Sequence, residues 1–428
     1  MVGEMTVVNS RNATSGVMAG AAESGAWALR KSCPQLRRRQ CMALLLIAPL
    51  FLFLLGTFIL PLSGMLKLAV DDRETATLLP RTLSALQAWD QRSLPSDAAY
   101  EALVADLRQA QEDKTVGTIA RRLNYDTPGL RNLISNSARK LSTVQAGSGN
   151  GQQRLLAADP QWSQLEPWTA IERARGPVTS LYLLTALDLK RDTQGQIARV
   201  DAEQSNYLDI LARTFGISLS VTLITLLLAF PVAQYMASAP PRMGAIIMLL
   251  VLLPFWTSVL VRTMAWVVVL QGNGLINNLL QTLGVIENPL HMLYNRTGVL
   301  VALSHVLLPY MILPLYGAMR AVPAAQMRAA VSLGAGPVMA YRRVYLPQLL
   351  PGIAAGSLLV FILALGYYIT PVLIGGPNDQ LISYYIAFYT SGTINWGLAA
   401  GLGMVLLIAT LVLYRVYVGL VGVQRIGR

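Results

Sequence analysis

Charge is scarce in this chain of 428 residues: 13% are Asp, Glu, Lys or Arg, while 54% are hydrophobic. That balance excludes an ordinary set of soluble domains and indicates a membrane protein. Lysine is scarcer still, and none of Lys31, Lys67, Lys114, Lys140 and Lys190 follows a glycine. The Gly-Lys-Ser/Thr end of a phosphate-cradling loop is therefore missing, and the chain cannot itself be a conventional ATPase. Cys33 and Cys41 stand eight residues apart without metal-binding neighbours, which suggests neither a metal site nor a disulfide. Carboxylates are nearly missing from the apolar runs: Asp209 precedes one, and Glu287 and Asp379 lie in connections. This argues against a proton or sodium relay, which needs titratable groups in the pathway. His305 is the one imidazole inside an apolar run, with no acidic partner evident near it, and reads as hydrogen-bonded packing.

Long uncharged stretches are abundant instead. They run from Cys41 to Leu66, Thr214 to Pro241, Met243 to Val261, Thr297 to Met319, Val344 to Asn378 and Gln380 to Tyr414. Crossing about 30 Å of hydrocarbon takes roughly 20 apolar residues as a helix. Six spans are predicted, near 42–66, 208–237, 243–270, 298–319, 348–372 and 398–420. The fold class is an all-α polytopic membrane protein. Pro231, Pro254, Pro309 and Pro314 fall inside these spans and are compatible with them, because neighbouring helices can satisfy freed carbonyls.

Basic residues set the expected orientation. "RKSCPQLRRRQ" precedes the first span, and Arg242, Arg320, Arg328, Arg342, Arg343, Arg415, Arg425 and Arg428 occupy connections without an acidic residue. The alternate connections hold Glu287 with Arg296, and Asp379 alone. By the positive-inside tendency both termini are cytoplasmic. Residues 1–41 read as a cytoplasmic tail and 42–66 as a retained first span rather than a cleaved leader. Residues 71–206 form a large extracytoplasmic insert, and 207–428 a core with five further spans.

The insert carries 16 Lys and Arg against 17 Asp and Glu, so the basic excess belongs to the rest of the chain and calls for no nucleic acid. In "SDAAYEALVADLRQA" Tyr100, Leu103, Val104 and Leu107 recur at helical spacing. "TVGTIARRLNYDTPGLRNLISNSARKL" repeats the pattern with a break at Pro128 and Gly129. "VQAGSGNGQQ" reads as a linker and "PVTSLYLLTALDLKRD" as a further helix. The insert is expected to be a compact helical subdomain serving as a platform rather than a catalyst. Its adjacent carboxylates, Asp71 with Asp72 and Glu112 with Asp113, read as solvated.

The most unusual polar element is "RAAVSLGAGPVMAYRRVYLPQLLPG", residues 328–352, within a cytoplasmic connection at 321–347. Pro323 and the alanines favour a short helix. Gly334, Gly336 and Pro337 force a bend, and a second short helix over 338–345 presents Arg342 and Arg343 before Pro347 and Pro351 end it. Ala329-Ala330, three residues, Gly334, nine residues, Val344, one residue, Leu346-Pro347 resembles the loop of binding-protein-dependent ABC importer permeases, Glu-Ala-Ala-x3-Gly-x9-Ile-x-Leu-Pro. "VRTMAWVVVL", "LLPYMILPLYGAMR", "PGIAAGSLLVFILALG" and "TPVLIGGP" are similar to the polyamine and opine branch of that family, from about residue 205 onward.

That resemblance implies a six-helix type I permease whose Arg328, Ala329, Ala330, Leu333, Gly334, Ala335, Arg342, Arg343, Leu346 and Pro347 engage an ATPase subunit. It also implies a second permease subunit or second copy, an extracytoplasmic binding protein, and a bacterial cytoplasmic (inner) membrane location. No cofactor is expected on this chain, since ATP and magnesium would bind the partner ATPase. Arg328 departs from the family's Glu, so no salt bridge is carried over from that Glu. The implied substrate is a polyamine, with an amino acid, opine or other small amine close behind. Tyr367, Tyr368, Tyr384, Tyr385 and Trp396 are candidate pathway residues, since aromatic faces attract cations where carboxylates are missing; Arg262, near the outer end of the third span, is a further candidate that reads first as a snorkelling anchor. A secondary transporter or channel remains the alternative, as does a membrane receptor with an extracytoplasmic sensor.

Overall fold

The computed structural model describes residues 33–143, 149–191, 195–200 and 206–422. The expected tail over 1–32, part of the expected linker over 144–153, and Arg425 and Arg428 lie outside the described residues. Among the described residues six helices are long and apolar enough to cross a membrane: Leu45–Lys67, Tyr207–Ser238, Val259–Thr282, Arg296–Ala321, Pro337–Gly366 and Trp396–Gly419.

The first begins as α1 (Cys33–Leu54), widens into a π-turn at Leu55–Ile59 and ends as α2 (Leu60–Lys67). Leu45, Leu46, Leu50 and Phe58 are among its apolar side chains, as a membrane-length helix requires.

The insert is a body of short helices: α3 (Arg73–Leu78), α4 (Pro80–Ala85), α5 (Asp97–Glu112), α6 (Val116–Asp126), α7 (Leu130–Thr143), α8 (Gly151–Ala158), α9 (Leu165–Arg173) and α10 (Leu181–Ala186). Tyr100, Leu103, Val104 and Leu107 are buried on α5 as their spacing predicts. The break between α6 and α7 falls at Pro128 and Gly129. Tyr100, Trp162 and Trp168 form the centre, with edge-on rings whose centroids lie 4.6 and 5.4 Å apart. Their polar tips are satisfied: Trp162 Nε1 donates to Ser137 Oγ at 2.8 Å, and Tyr100 Oη to the Trp162 carbonyl at 3.1 Å.

Two expectations fail here. "PVTSLYLLTALDLKRD" is not one helix: α10 stops at Ala186, and the chain turns at Asp188 (φ +54°) into a hairpin of β1 (Leu189–Arg191) and β2 (Ile197–Arg199). The charged residues after Ala186 leave no apolar stripe on which a helix could pack. Nor is Asp72 solvated. Its carboxylate is buried and accepts Nε and Nη2 of the equally buried Arg122, Nε at 2.6 Å, and burial raises its pKa above the ordinary carboxylate value even beside that cation. The Thr179 N–H donates to the Val70 carbonyl at 2.8 Å and the Asp72 N–H to Pro177 at 3.1 Å, so the entry of the insert pairs with the segment leading into α10. Arg122→Met leaves the Asp72 charge buried and unpaired, and is expected to destabilise the insert by about 3–5 kcal/mol. Earlier proteolytic cleavage on heating measures this, and adding Asp72→Asn should recover much of the loss.

The core follows as α11 (Tyr207–Ser238), α12 (Pro241–Leu252), α13 (Val259–Leu270), α14 (Leu275–Thr282), α15 (Arg296–Ala321), α16 (Ala324–Ser332), α17 (Pro337–Ala340), α18 (Leu346–Gly366), α19 (Ile369–Ile374), α20 (Ile382–Ala387) and α21 (Trp396–Gly422). α15 is central: Leu303, Leu307, Met311 and Leu315 pack with Val221, Ala229 and Ala233 of α11 and with Leu349, Val360 and Ala364 of α18. Pro309 and Pro314 sit inside continuous α15, and Pro231 inside α11.

Pro254 behaves differently. The span expected over 243–270 is broken: α12 tightens into a 3-10 turn at Leu253–Trp256, Thr257 and Ser258 are extended, and α13 starts afresh. Proline withholds an N–H and crowds the preceding turn, and carbonyls at the break find a side-chain donor, as shown below. The fifth span also differs from 348–372. It ends at Gly366, and Tyr367 and Tyr368 separate it from α19. At its other end it runs without interruption into α17 through a π-turn at Tyr341–Tyr345. Pro347 therefore does not end a separate short helix. The wider turn moves the backbone away from the proline ring, and Gln348 Nε2 donates to the Val344 carbonyl at 2.8 Å.

Candidate functional site: the connecting knob and the pathway face

Two ends of the core can be told apart by their contacts. At one, the insert meets the starts of α11 and α21; at the other lie the α11–α12 turn and the 321–345 connection. The connection forms a knob. α16 closes with a paired C-terminal cap: the Gly334 N–H donates to Val331 and the Ala335 N–H to Ala330, each at 3.0 Å. This six-residue cap needs a left-handed residue at its turn, and Gly334 has φ +87°. Ala329, Ala330, Leu333, Gly334 and Ala335 are thus one structural unit. Leu333 is 89% exposed, Val338 73% and Val331 55%, an apolar set on a projecting turn. Isolated apolar residues on a surface need no explanation, whereas a cluster on a projection marks a contact site. Arg342 and Arg343 are exposed on the π-turn and border a recess of about 740 Å³ with Gly336, Pro337, Val338 and Met339. Leu346 is half-buried where the knob joins α18, Pro347 is exposed, and Arg328 is exposed with no ion pair among the described residues.

The six candidate pathway residues do not form a single site. Arg262, just past the helix break, donates through Nη2 to the carbonyls of Pro254 and Thr257 (3.0 Å for Thr257), and through Nε to Thr257 Oγ1 at 3.2 Å. It binds two carbonyls of the turn that follows α12, so its charge is held by the helix end. Nearby, Trp266 Nε1 donates to His305 Nδ1 at 3.1 Å, and Phe255 packs on Tyr310 at 4.9 Å. The hydrogen-bonded role read for His305 has a named partner. Tyr367 is half-buried against the α11–α15–α18 core, and its carbonyl accepts from Ser383 Oγ at 2.7 Å. Tyr368 and Trp396 are exposed, apart from it.

Tyr384 and Tyr385 stack edge-on at 5.1 Å, and Tyr385 lines a separate cavity of about 600 Å³ at the insert end. Asp209, Arg213, Arg296, Tyr207, Asn378 and Tyr389 line it too. Arg296 Nε lies 3.1 Å from Asp379, Arg213 donates to the Asn378 carbonyl, and the hydroxyls of Tyr207 and Tyr389 are 2.6 Å apart. Sequence reading counted Arg296 and Asp379 only as connection charges of opposite sign. Their unlike signs were the available signal that the two connections pair. Arg213 and the Tyr207–Tyr389 contact gave none, because their partners lie more than 160 residues away.

The core is thus polytopic and helical, with an exposed, glycine-capped knob on one connection. A family model described as the binding-protein-dependent transport system inner membrane component matches residues 215–423. Over 211 residues the chain is 31% identical to the spermidine/putrescine transport system permease protein PotB of Escherichia coli K12, covering 49% of this chain and 77% of that protein. PotB of Haemophilus influenzae is 34% identical over 208 residues, 48% of this chain and 73% of that protein. The inner membrane ABC transporter permease protein YdcU of Escherichia coli is 36% identical over 188 residues, 41% and 59%. The chain belongs to the binding-protein-dependent ABC importer permeases and is a multi-pass inner-membrane permease subunit. The insert precedes the matched residues.

Proposed function

We propose that this chain forms the translocation pathway of an ATP-driven importer for a polyamine or a related small amine or amino-acid-like compound. The observation that carries the reading is the knob: a glycine-capped turn with exposed Leu333, Val331 and Val338, inside the family-matched residues, on a chain whose lysines build no phosphate loop. An ATPase subunit docks there and supplies the hydrolysis. The remaining partners are a second permease subunit or second copy, and a binding protein that delivers solute to the insert end. The arginines around the knob support a cytoplasmic position for that end, with the insert outside and both termini inside. The PotB relatives support spermidine or putrescine as first substrates, and the aromatic side chains at the insert end suit a cationic amine.

Co-expression with a cognate ABC ATPase, a second permease and a polyamine-binding protein tests the reading. Expected is uptake of labelled putrescine or spermidine that needs ATP hydrolysis and the binding protein. Uptake that persists with an ATPase disabled in hydrolysis would instead establish a secondary transporter.

Arg328 stands where the family pattern has Glu, and we infer an acidic contact for it on the ATPase. Arg328→Glu should lower uptake several-fold, since like charges brought together at an interface cost affinity. Unchanged or improved uptake argues against an acidic partner.

A further inference from the structure

The insert lies outside the family match, yet it is tied to both walls of the insert-end cavity. The first turn of α11 has no side-chain cap of its own. Asp188, 5% exposed at the turn before the hairpin, supplies one: its carboxylate accepts the N–H groups of Asn206 (3.1 Å), Tyr207 (3.0 Å) and Leu208 (2.8 Å). A carboxylate on the free N–H groups of a helix start is favoured by hydrogen bonding and by the helix dipole together. Tyr207, Asp209 and Ile210 of that same turn line the cavity.

The second tie is steric. Tyr182 of α10 lies in a notch on α21 made by Gly397 and Gly401, one turn apart. A Cβ at Gly397 would sit 2.3 Å from Tyr182 Cε2, and one at Gly401 2.8 Å from the Tyr182 carbonyl oxygen. Small residues at this spacing let another element approach a helix backbone closely. Tyr182, Ala186, Ile210, Ile382, Leu398 and Leu402 form one apolar cluster, against which the cavity-lining Tyr385 and Tyr389 pack. Behind the ring, the Arg122 guanidinium lies 5.8 Å from its centroid, held by Asp72.

We infer that the insert fixes the shape of the solute entrance, with Asp188 and Tyr182 as positioning residues that hold the starts of α11 and α21 at a set separation. This rests on the importer reading, in which solute enters at the insert end. Neither residue needs to touch solute. Displacing either one moves a cavity wall.

The test uses the complete transporter with Gly397→Ala, Tyr182→Ala, the two combined, Asp188→Ala and Asp188→Asn. Gly397→Ala pushes against the ring, so the apparent KM for solute should rise about tenfold while the maximal rate stays within about twofold. In the double variant the notch has room for the added methyl, and KM should return most of the way. Asp188→Ala should raise KM similarly, and Asp188→Asn, which still accepts hydrogen bonds, should fall between it and the wild type. A second readout is independent of transport: cysteines replacing Tyr207 and Tyr389, whose rings meet only at their hydroxyl tips and so leave the Cβ atoms too far apart for a direct disulfide, should be bridged by a short bifunctional maleimide in the parent chain, less with Gly397→Ala, and again in the double variant. Additive effects of Gly397→Ala and Tyr182→Ala, or cross-linking indifferent to both, overturn the inference. A parent complex that cross-links but imports no amine counts against the importer reading alone.

Discussion

Gly334→Val is expected to reduce ATP-driven uptake at least tenfold while the protein reaches the membrane in normal amounts. The backbone at Gly334 is left-handed, φ +87°, and places the Ala335 N–H on the Ala330 carbonyl. A side chain in that conformation costs about 1–2 kcal/mol, and a β-branched one is a genuine outlier there. The turn relieves the strain by opening, which frees the last carbonyls of α16 and re-aims Leu333 relative to α17. The membrane core is untouched, because the residues of α16 make no part of the packed α11–α15–α18 interior. Asparagine tolerates the left-handed region, so Gly334→Asn should retain much of the activity. Uptake per unit of membrane-inserted protein, compared across Val, Ala and Asn, checks this. Asn as damaging as Val would show that side-chain bulk, rather than backbone hand, decides the outcome.

Leu333→Glu is expected to abolish co-purification with the ATPase and leave the permease folded. Leu333 is 89% exposed in the isolated chain, so its replacement removes no internal contact of consequence. In a docked complex a leucine contributes about 1.5–3 kcal/mol by burial. A carboxylate in the same place adds a desolvation penalty of similar or greater size. A loss of about 3 kcal/mol is roughly a hundredfold in affinity. The measurement is retention of the ATPase on the immobilised permease, alongside unchanged thermal stability of the permease. Full retention of the ATPase by this variant would move the docking surface elsewhere. The two variants separate causes, since Gly334 acts through the backbone and Leu333 through the surface it presents.

Much of the fold was readable because membrane physics is strict about charge and length. Five of the six expected spans coincide with observed membrane-length helices apart from their ends. The third does not, and the reason lies in the company each proline keeps. Pro231, Pro309 and Pro314 stay within helices, while Pro254 coincides with a break whose carbonyls are taken by Arg262. A proline alone does not tell the two outcomes apart; an arginine eight residues further along, together with Thr257 and Ser258, is what makes the break tolerable. The knob's glycine turn was legible because a paired cap is local, spanning six residues. Its continuation into α18 was not, because a π-turn leaves no distinctive residue pattern.

The insert divides the same way. The helical face of α5 could be read from Tyr100, Leu103, Val104 and Leu107, which sit within a few residues of one another. Asp72 looked solvated because its partner Arg122 is 50 positions away. The notch that receives Tyr182 is made by glycines more than 200 positions later, and nothing local marks Asp188 as the cap of α11.

The unbroken run from Pro337 to Gly366 has a mechanical consequence. Thirty residues at 1.5 Å each make a rod of about 45 Å. A tilt of about 5° at the knob sweeps the far end through about 4 Å, which is most of a helical turn. That far end is Tyr367, whose carbonyl is fastened to Ser383 at the head of α20, and α20 leads to Tyr385 and the cavity beneath the insert. The knob and the cavity thus share one lever, with its handle at one end of the core and its working tip at the other.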